Sequence, residues 1–392
     1  MLEVLLVINT GSSSIKFSIF ADKQKLNLLY RGEIESISDS PCLTIFDANH
    51  LKIVEQKILS TGTEAGLRVF FNWFERLPDS MKLKAVGHRV VHGGTYFSQP
   101  TLVTDEVMKK IASLIPFCPF HEAQSLEAIE NIKTIYPAMP QVVCFDTNFH
   151  RTQEHLATLF AIPRKLTDEG LVRYGFHGIS YEYIASVITQ HIGDIGNKRV
   201  IVAHLGSGAS MCAMHQRKSV ATSMGLTALD GLMMGTRSGS IDPGLILYLL
   251  QEKKLSVEQV TTLLYQESGL LGVSGISNDM RKLQSSDEPH AIEAVDLFCF
   301  IAARELSALC GILHGCDAII FTAGIGERSN VVRKKICDRL DWLGVVLDEK
   351  ANSTNASVIS QDRSKIKVGV IPTNEEYIIA KHTMNRVVGA NN

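Results

Sequence analysis

VLLVINTGSSSIKFSIF, residues 4–20, is the stretch on which the reading of this chain turns. The apolar run 4–8 predicts a buried strand, and 15–20 a second strand with Lys16 and Ser18 on one face. Between them lies a polar turn of Asn9, Thr10, Gly11, Ser12, Ser13 and Ser14. Strand, short Gly/Ser turn and strand make a hairpin whose tip offers backbone N–H groups, hydroxyls and the Lys16 amine. Those are the donors a phosphate chain needs. A Gly/Ser turn taken alone is more often a solvated tip. Here Asn9 and Lys16 bracket it, and a second copy follows at 199–220, RVIVAHLGSGASMCAMHQRKSV. Aligned on the first, 200–203 matches strand one, 205–210 the turn and 211–214 strand two. An internal repeat of this kind predicts two halves, each opening with a phosphate-binding hairpin. No G-x-x-x-x-G-K-[ST] occurs, so the plan is not that of a P-loop.

A chain of 392 residues is long for one core, and two domains are expected. Hydrophobic residues make up 45% and charged residues 20%, an ordinary globular balance. The formal net charge of -2 argues against nucleic acid or an anionic membrane as principal partner. No run has the apolar length of a membrane span, and the first strand begins without a leader-like pattern, so a cytoplasmic location is expected. The eight cysteines include no C-x-x-C pair, which fits a reducing compartment.

Further strands are expected over 30–58 and 84–91, and helices over 64–77, 105–114 and 122–135, with Pro116 and Pro119 interrupting the last two. Residues 141–145 read as a short strand ending at Asp146, a common place for a functional carboxylate in α/β folds. A helix is expected from Ser180, acting as its N-cap. Segment 223–244 has too many glycines for a regular element. Helices follow at 243–253, 257–266 and 290–313. Strand 318–322 runs into AGIGERS, read as a Gly-rich turn opening a helix over 331–340, an anion or nucleotide site by pattern. Strand 367–371, the loop PTNEE and a terminal helix through about 388 close the chain. The boundary is expected near Asp146, giving an N-terminal domain of 1–145 plus about 378–392 and a C-terminal domain of 146–377.

Polar residues concentrate in loops after strands. Thirteen histidines include no H-E-x-x-H or comparable ligand cluster, which argues against zinc. G-x-S-x-G is absent, which argues against a hydrolase triad. Phosphoryl transfer asks for cations, backbone donors and a metal-binding carboxylate, and all three are supplied.

The consecutive motifs VINTGSSSIKF, GHRVVHGG, FDTNFHRT, RYGFHG, HLGSGAS, GLMMGTRSG, LLGVSGISNDMR, FTAGIGE and IPTNEE resemble, in order, those of the acetate kinase family. The resemblance runs from about residue 4 to 382. It implies an α/β, duplicated ribonuclease H-like fold of the actin, Hsp70 and sugar-kinase type, with the active site in an interdomain cleft. The implied reaction is reversible transfer of the ATP γ-phosphoryl group to a short-chain carboxylate, with Mg²⁺ or Mn²⁺ as cofactor and ATP/ADP as co-substrate. A homodimer is implied as well.

Carried over position by position, the resemblance places Lys16, Ser12 and Ser14 on the phosphates, and Asn9 and Glu375 on the metal. Arg89 and Arg237 would flank the phosphoryl group and the carboxylate, His177 would donate to the transferring group with His121 as a secondary donor, and Asp146 would orient the arginine. His204, Gly206, Ser207 and Gly208 would lie near the phosphates, and Asp279, Met280, Arg281, Gly324, Ile325 and Gly326 near ribose and adenine. For Asp279 and Arg281 the residues alone suggest a surface ion pair. Val91, Phe120, Phe176 and Ala228 would surround the acyl chain. The chain departs from the family pattern at Ser207 and Arg328 (both usually Asn), in PFHEA for PLHNP, and at Ala228 for proline. Acetate is the expected acceptor, with propionate or a broader acyl range as the alternative. An actin- or Hsp70-like nucleotide switch is the rival from another class, and it has no need of a carboxylate-binding arginine.

Overall fold

The computed structural model describes residues 2–11, 14–22, 26–77 and 81–389, with only the main chain for Phe120. It divides into two compact units, Met1–Asn148 with Asn374–Asn392, and Phe149–Thr373. The breaks expected at 145/146 and 377/378 stand at 148/149 and 373/374. Asp146 and Glu375 therefore belong to the first unit: Asp146 closes on Arg89, and the terminal helix packs on the strands of the first sheet.

The first unit begins with β1 (Leu2–Thr10), β2 (Ile15–Ala21), β3 (Asn27–Glu35), β4 (Cys42–Asp47) and β5 (Lys52–Lys57). Then come α1 (Thr63–Phe74), β6 (Met81–Val90), β7 (Thr101–Leu102), α2 (Asp105–Ala112), α3 (Pro119–Ile135) and β8 (Gln141–Phe145). The sheet runs β5-β4-β3-β2-β1-β6-β8-β7.

The second unit contains α4 (Arg164–Asp168), α5 (Gly178–Ile192), β9 (Arg199–Leu205), β10 (Ala209–His215) and β11 (Lys218–Thr222). Helices α6 (Pro243–Gln251), α7 (Val257–Gln266), α8 (Gly269–Ser274), α9 (Met280–Gln284) and α10 (Pro289–Ile312) follow. Last are β12 (Ala318–Thr322), α11 (Ala323–Arg328), α12 (Asn330–Asp338), α13 (Glu349–Ser353) and β13 (Lys367–Val370), in a sheet ordered β11-β10-β9-β12-β13. The chain returns to the first unit with α14 (Glu375–Gly389).

The duplication is visible in strand order. Strands β3-β2-β1-β6-β8 correspond to β11-β10-β9-β12-β13, the first three antiparallel and the last three parallel in both. That is the ribonuclease H-like order, expected from the repeated hairpin. Apolar alternation puts Val4, Leu6 and Ile8 against Phe70 and Phe71 of α1 on one side of the first sheet. In the second unit, Val200 and Val202 pack on Ile184 and Ile188 of α5. Helix α14 comes so close to β6 that a Cβ on Gly87 would stand 2.2 Å from Thr383 Oγ1, so only glycine admits this packing.

Local expectations failed at four places for identifiable reasons. The strand expected over 4–8 runs on to Thr10, which pairs with Ile15, and Gly11 N–H donates to the Ser14 carbonyl at 2.8 Å. Helix α3 starts at Pro119, three residues early, because proline at the first helical position gives up an N–H that has no partner there. Segment AGIGER forms its own short helix, with Ala323 left-handed at φ 64°. Likewise α5 starts at Gly178 behind a left-handed His177, so Ser180 lies inside the first turn and is not its N-cap.

Candidate active site

The first constellation belongs to the first unit. Strand pairing sets Asn9 opposite Lys16 across the hairpin, and parallel β6 delivers Arg89 beside them. Arg89 donates from Nε to Asp146 Oδ1 at 3.0 Å and from Nη2 to Oδ2 at 2.6 Å, while Nη1 reaches Asn9 Oδ1 at 3.3 Å. The side chain of Asp146 is 1% exposed and that of Arg89 19%. Such a fork-to-carboxylate pair fixes the guanidinium plane. Burial opposes the arginine's charge, but Asp146 and Glu375 more than offset it and hold the guanidinium firmly protonated.

Glu375, at the first position of α14, is governed by the same charges. Burial pushes its carboxyl up to about 7; Arg89 and Lys16 pull it down, and Asp146 and Glu376 raise it. A carboxylate in that position gains from a nearby cation. The oxygen donors Asn9 and Glu375 suit a hard divalent ion that keeps several waters. Among the described residues no group of three or more His, Cys, Asp or Glu could hold a metal without such outside ligands. His121 stands in the first turn of α3 and is partly exposed, and Val91 is buried after β6. Ser12 lies outside the described residues, as does the side chain of Phe120.

The second constellation is built on the β9–β10 hairpin. Gly206 N–H donates to the Gly208 carbonyl at 3.1 Å, and Gly235 N–H to the Ser207 carbonyl at 3.0 Å. A Cβ on Gly208 would lie 3.1 Å from Arg237 Nη2 and 3.2 Å from His177 Nε2, so this glycine, His177 and Arg237 share one small space. Arg237 Nη1 donates to the Ala228 carbonyl at 2.6 Å, and His177 Nδ1 is 2.8 Å from Ser210 Oγ, which also meets the Tyr181 hydroxyl. His177 stacks on His204 at 4.2 Å and 12°. His204 Nδ1 meets Ser180 Oγ at 2.8 Å, and Ser180 meets Thr373 Oγ1 at 2.8 Å. Phe176 is buried beside His177.

The molecule matches known proteins over nearly its whole length. The Acetokinase family matches residues 4–381. An acetate kinase of Rhodopseudomonas palustris (strain ATCC BAA-98 / CGA009) is 46% identical over 397 residues, 97% of this chain and 98% of that protein. An acetate kinase of Methylocella silvestris is 46% identical over 395 residues, 98% of each. This chain belongs to the acetokinase family. Among solved structures, a propionate kinase from Francisella tularensis subsp. tularensis matches with TM-score 0.92 at 35% identity, covering 98% of this chain and all of that one. Porphyromonas gingivalis acetate kinase matches with TM-score 0.85 at 33% identity, covering 98% and 99%. The chain is thus a kinase of the phosphotransferase class by membership.

The remaining family positions are spread over the second unit. Asp279 caps α9, accepting from Arg281 N–H at 2.9 Å and pairing with the Arg281 guanidinium at 2.7 Å. The arginine side chain is 85% exposed and Met280 is buried. The surface ion pair suggested by these residues alone is therefore present, and lowers the Asp279 carboxyl to about 2. Gly324, Ile325 and Gly326 lie on α11, directly after β12, and a Cβ on Gly324 would meet nothing within 4 Å. Glu327 holds this segment from below, accepting from Ala323 N–H at 2.8 Å and Thr373 N–H at 3.0 Å.

Some participants carried no individual signal in the sequence. Ser210, Ser180 and Thr373 are ordinary hydroxyl residues until the fold aims them at the two stacked histidines. Glu122, which PFHEA brings toward the pocket without naming a role, is fully buried, with His92 N–H donating to Oε1. Only its place in PFHEA set it apart.

Proposed function

We propose that this chain is an acetate kinase, transferring the γ-phosphoryl group of ATP reversibly and directly to acetate to give acetyl phosphate and ADP. The observation that carries the reading is Arg89: a forked cation locked by a buried aspartate, with one N–H edge turned to the hairpin residue Asn9. A carboxylic acid is already ionised at neutral pH, so no general base is needed. The difficulty is holding two anions together, and Arg89 meets it by binding the acceptor carboxylate while Asp146 keeps the guanidinium in plane. In the second unit, Ser210 meets His177 Nδ1; with Nδ1 as the acceptor of that bond, Nε2–H would donate to the transferring group beside Arg237 and the Gly208 turn. Lys16, Ser12 and Ser14 would serve the phosphate chain, and the segment around α11 the nucleoside. Asn9 and Glu375 would hold Mg²⁺, or Mn²⁺ in its place. When bound, that ion neutralises charge on the phosphate oxygens.

A homodimer fits the surface of α6. This helix, PGLILYLLQ, buries none of its residues, and Leu245, Leu247 and Tyr248 remain 45%, 54% and 49% exposed. A second copy of the chain would cover them.

The test is acyl phosphate formation, trapped as hydroxamate, with ATP, Mg²⁺ and acetate, propionate or butyrate against a control without acid. Fastest turnover on acetate is expected. Faster turnover on propionate would move the assignment to the acceptor named for the Francisella structure, and nucleotide hydrolysis without any acid product would favour the switch.

A further inference from the structure

Among the described residues, Glu122 is a buried acid of the first unit's constellation that the proposed reaction leaves without a task. Its side chain is 0% exposed, His92 N–H donates to Oε1, and Oε2 has no hydrogen-bond partner among the described residues. Three residues along the same helix face, Ser125 is 2% exposed, and its single hydroxyl proton is shared between the His121 carbonyl at 3.2 Å and the Arg89 carbonyl at 3.4 Å, with Thr10 Oγ1 at 3.2 Å. Helix α3 thus grips the end of β6 at two points that enclose Arg89, Val90, Val91 and His92.

We propose that Glu122 is a positioning residue for Arg89, clamping with Ser125 the main chain that carries this arginine and Val91 into the carboxylate site. The inference rests on the acyl kinase reading. Ionisation of Glu122 would keep the His92 contact but set a second buried anion beside Arg89, whose Nε and Nη2 already serve Asp146, in competition with the acceptor. Burial is the main cause that pushes the Glu122 carboxyl up to about 8; the His92 N–H opposes it and Asp146 adds to it, with Arg89 pulling down. The titratable or charged groups around it are therefore Arg89 and His92 at the end of β6, Asp146 after β8 and His121 beside it on α3. At pH 7 most molecules hold a neutral acid there. As pH rises through 8 the second anion forms, Arg89 is drawn between two carboxylates, and the acceptor is held less well.

The experiment measures KM for acetate and for ATP from pH 7 to 9 in wild type, Glu122→Gln and Glu122→Ala. Wild type is expected to show acetate KM rising severalfold above pH 8 with ATP KM flat. Glu122→Gln keeps an acceptor for His92 and cannot ionise, so its acetate KM should stay within threefold of wild type at pH 7 and remain flat to pH 9. Glu122→Ala leaves a buried N–H unsatisfied, and its acetate KM should rise roughly tenfold at pH 7. An alkaline rise that persists in the Gln variant, a flat wild-type profile, or an Ala effect shared equally by ATP would overturn the proposal. Absence of acyl phosphate from wild type with every acid would instead sink the reaction assignment. Independently of turnover, the ¹³C carboxyl resonance missing from Glu122→Gln should titrate near pH 8; titration near 4.5 would overturn the neutral clamp even in an inactive protein.

Discussion

Replacing Asp146 with Asn tests whether the arginine's orientation, and not its charge alone, carries acceptor binding. The change is nearly isosteric at a site 1% exposed, so packing is preserved. Wild-type Asp146 accepts two hydrogen bonds from Arg89, at 3.0 and 2.6 Å. Asn keeps one acceptor and turns an NH₂ toward the other guanidinium N–H. The lost bond to a charged group accounts for about 1.5–3 kcal/mol. Leaving a half-buried cation without its partner would bring the total toward the roughly 3–5 kcal/mol of a broken buried pair. Glu375 and Glu376 still act on Arg89, which keeps the expectation near the lower figures. At about 1.4 kcal/mol per decade, kcat/KM for acetate should fall about 10²-fold. The assay is initial hydroxamate rate against acetate at saturating ATP, beside nucleotide binding and a thermal melt. A second readout follows from the same charge: Asp146 raises the Glu375 carboxyl, so the acid limb of the pH profile should move to lower pH in the variant. A folded Asp146→Asn protein within threefold of wild type on acetate, or one whose nucleotide affinity falls in step, would refute the reasoning.

Other outcomes follow from single contacts. Glu375 has its carboxyl near 7 in the folded chain against an ordinary 4.5, so the folded state binds more protons between those values and stability falls as pH rises across them. In the absence of divalent ion, Glu375→Gln should therefore melt several degrees above wild type at pH 8, the response to at most about 3.4 kcal/mol, and level with it at pH 4.5; its Mg²⁺ requirement in turnover should rise. Gly208→Ala adds a Cβ 3.1 Å from Arg237 and 3.2 Å from His177, so kcat should drop about tenfold with little change in melting temperature. Leu247→Glu on α6 should convert a dimer to a monomer in light scattering, and an unchanged mass would remove α6 from the interface.

How far the sequence could be read depended on whether a residue's role was local. The hairpin repeat was legible because 4–20 and 199–220 share both an alternation and a Gly/Ser turn, and strand pairing then follows from chain neighbours. Helix α7 and strand β12 fall on the expected bounds 257–266 and 318–322, where capping by Ser256 and an unbroken apolar run act within a few residues. Position along α5 was not legible: Ser180 looks like an N-cap, but a left-handed His177 takes that place, and the serine hydroxyl serves His204 and Thr373, the latter 193 residues away. The AGIGER helix was missed for a similar reason, since Glu327 holds it by accepting N–H groups of Ala323 and Thr373. The site chemistry named from the motifs left out Glu122 and Ser125, whose partners are main-chain atoms on another strand.

The two constellations handle charge by different means, and this predicts where pH dependence should arise. In the first unit the charges of Arg89 and Asp146 act on both Glu122 and Glu375 in a poorly solvated place, so a substitution at either moves both carboxyls. In the second unit His177 and His204 are held through the neutral hydroxyls of Ser210, Tyr181, Ser180 and Thr373. Hydroxyls can reverse donor and acceptor roles without any change of net charge, so that relay orients imidazoles without setting up competing anions. Substitutions among the hydroxyls should accordingly lower turnover with little movement of the pH profile, whereas substitutions among the acids should move the profile itself. The separation arises because a carboxylate acceptor demands a fixed cation, and a fixed buried cation demands a counter-charge that must be kept from multiplying.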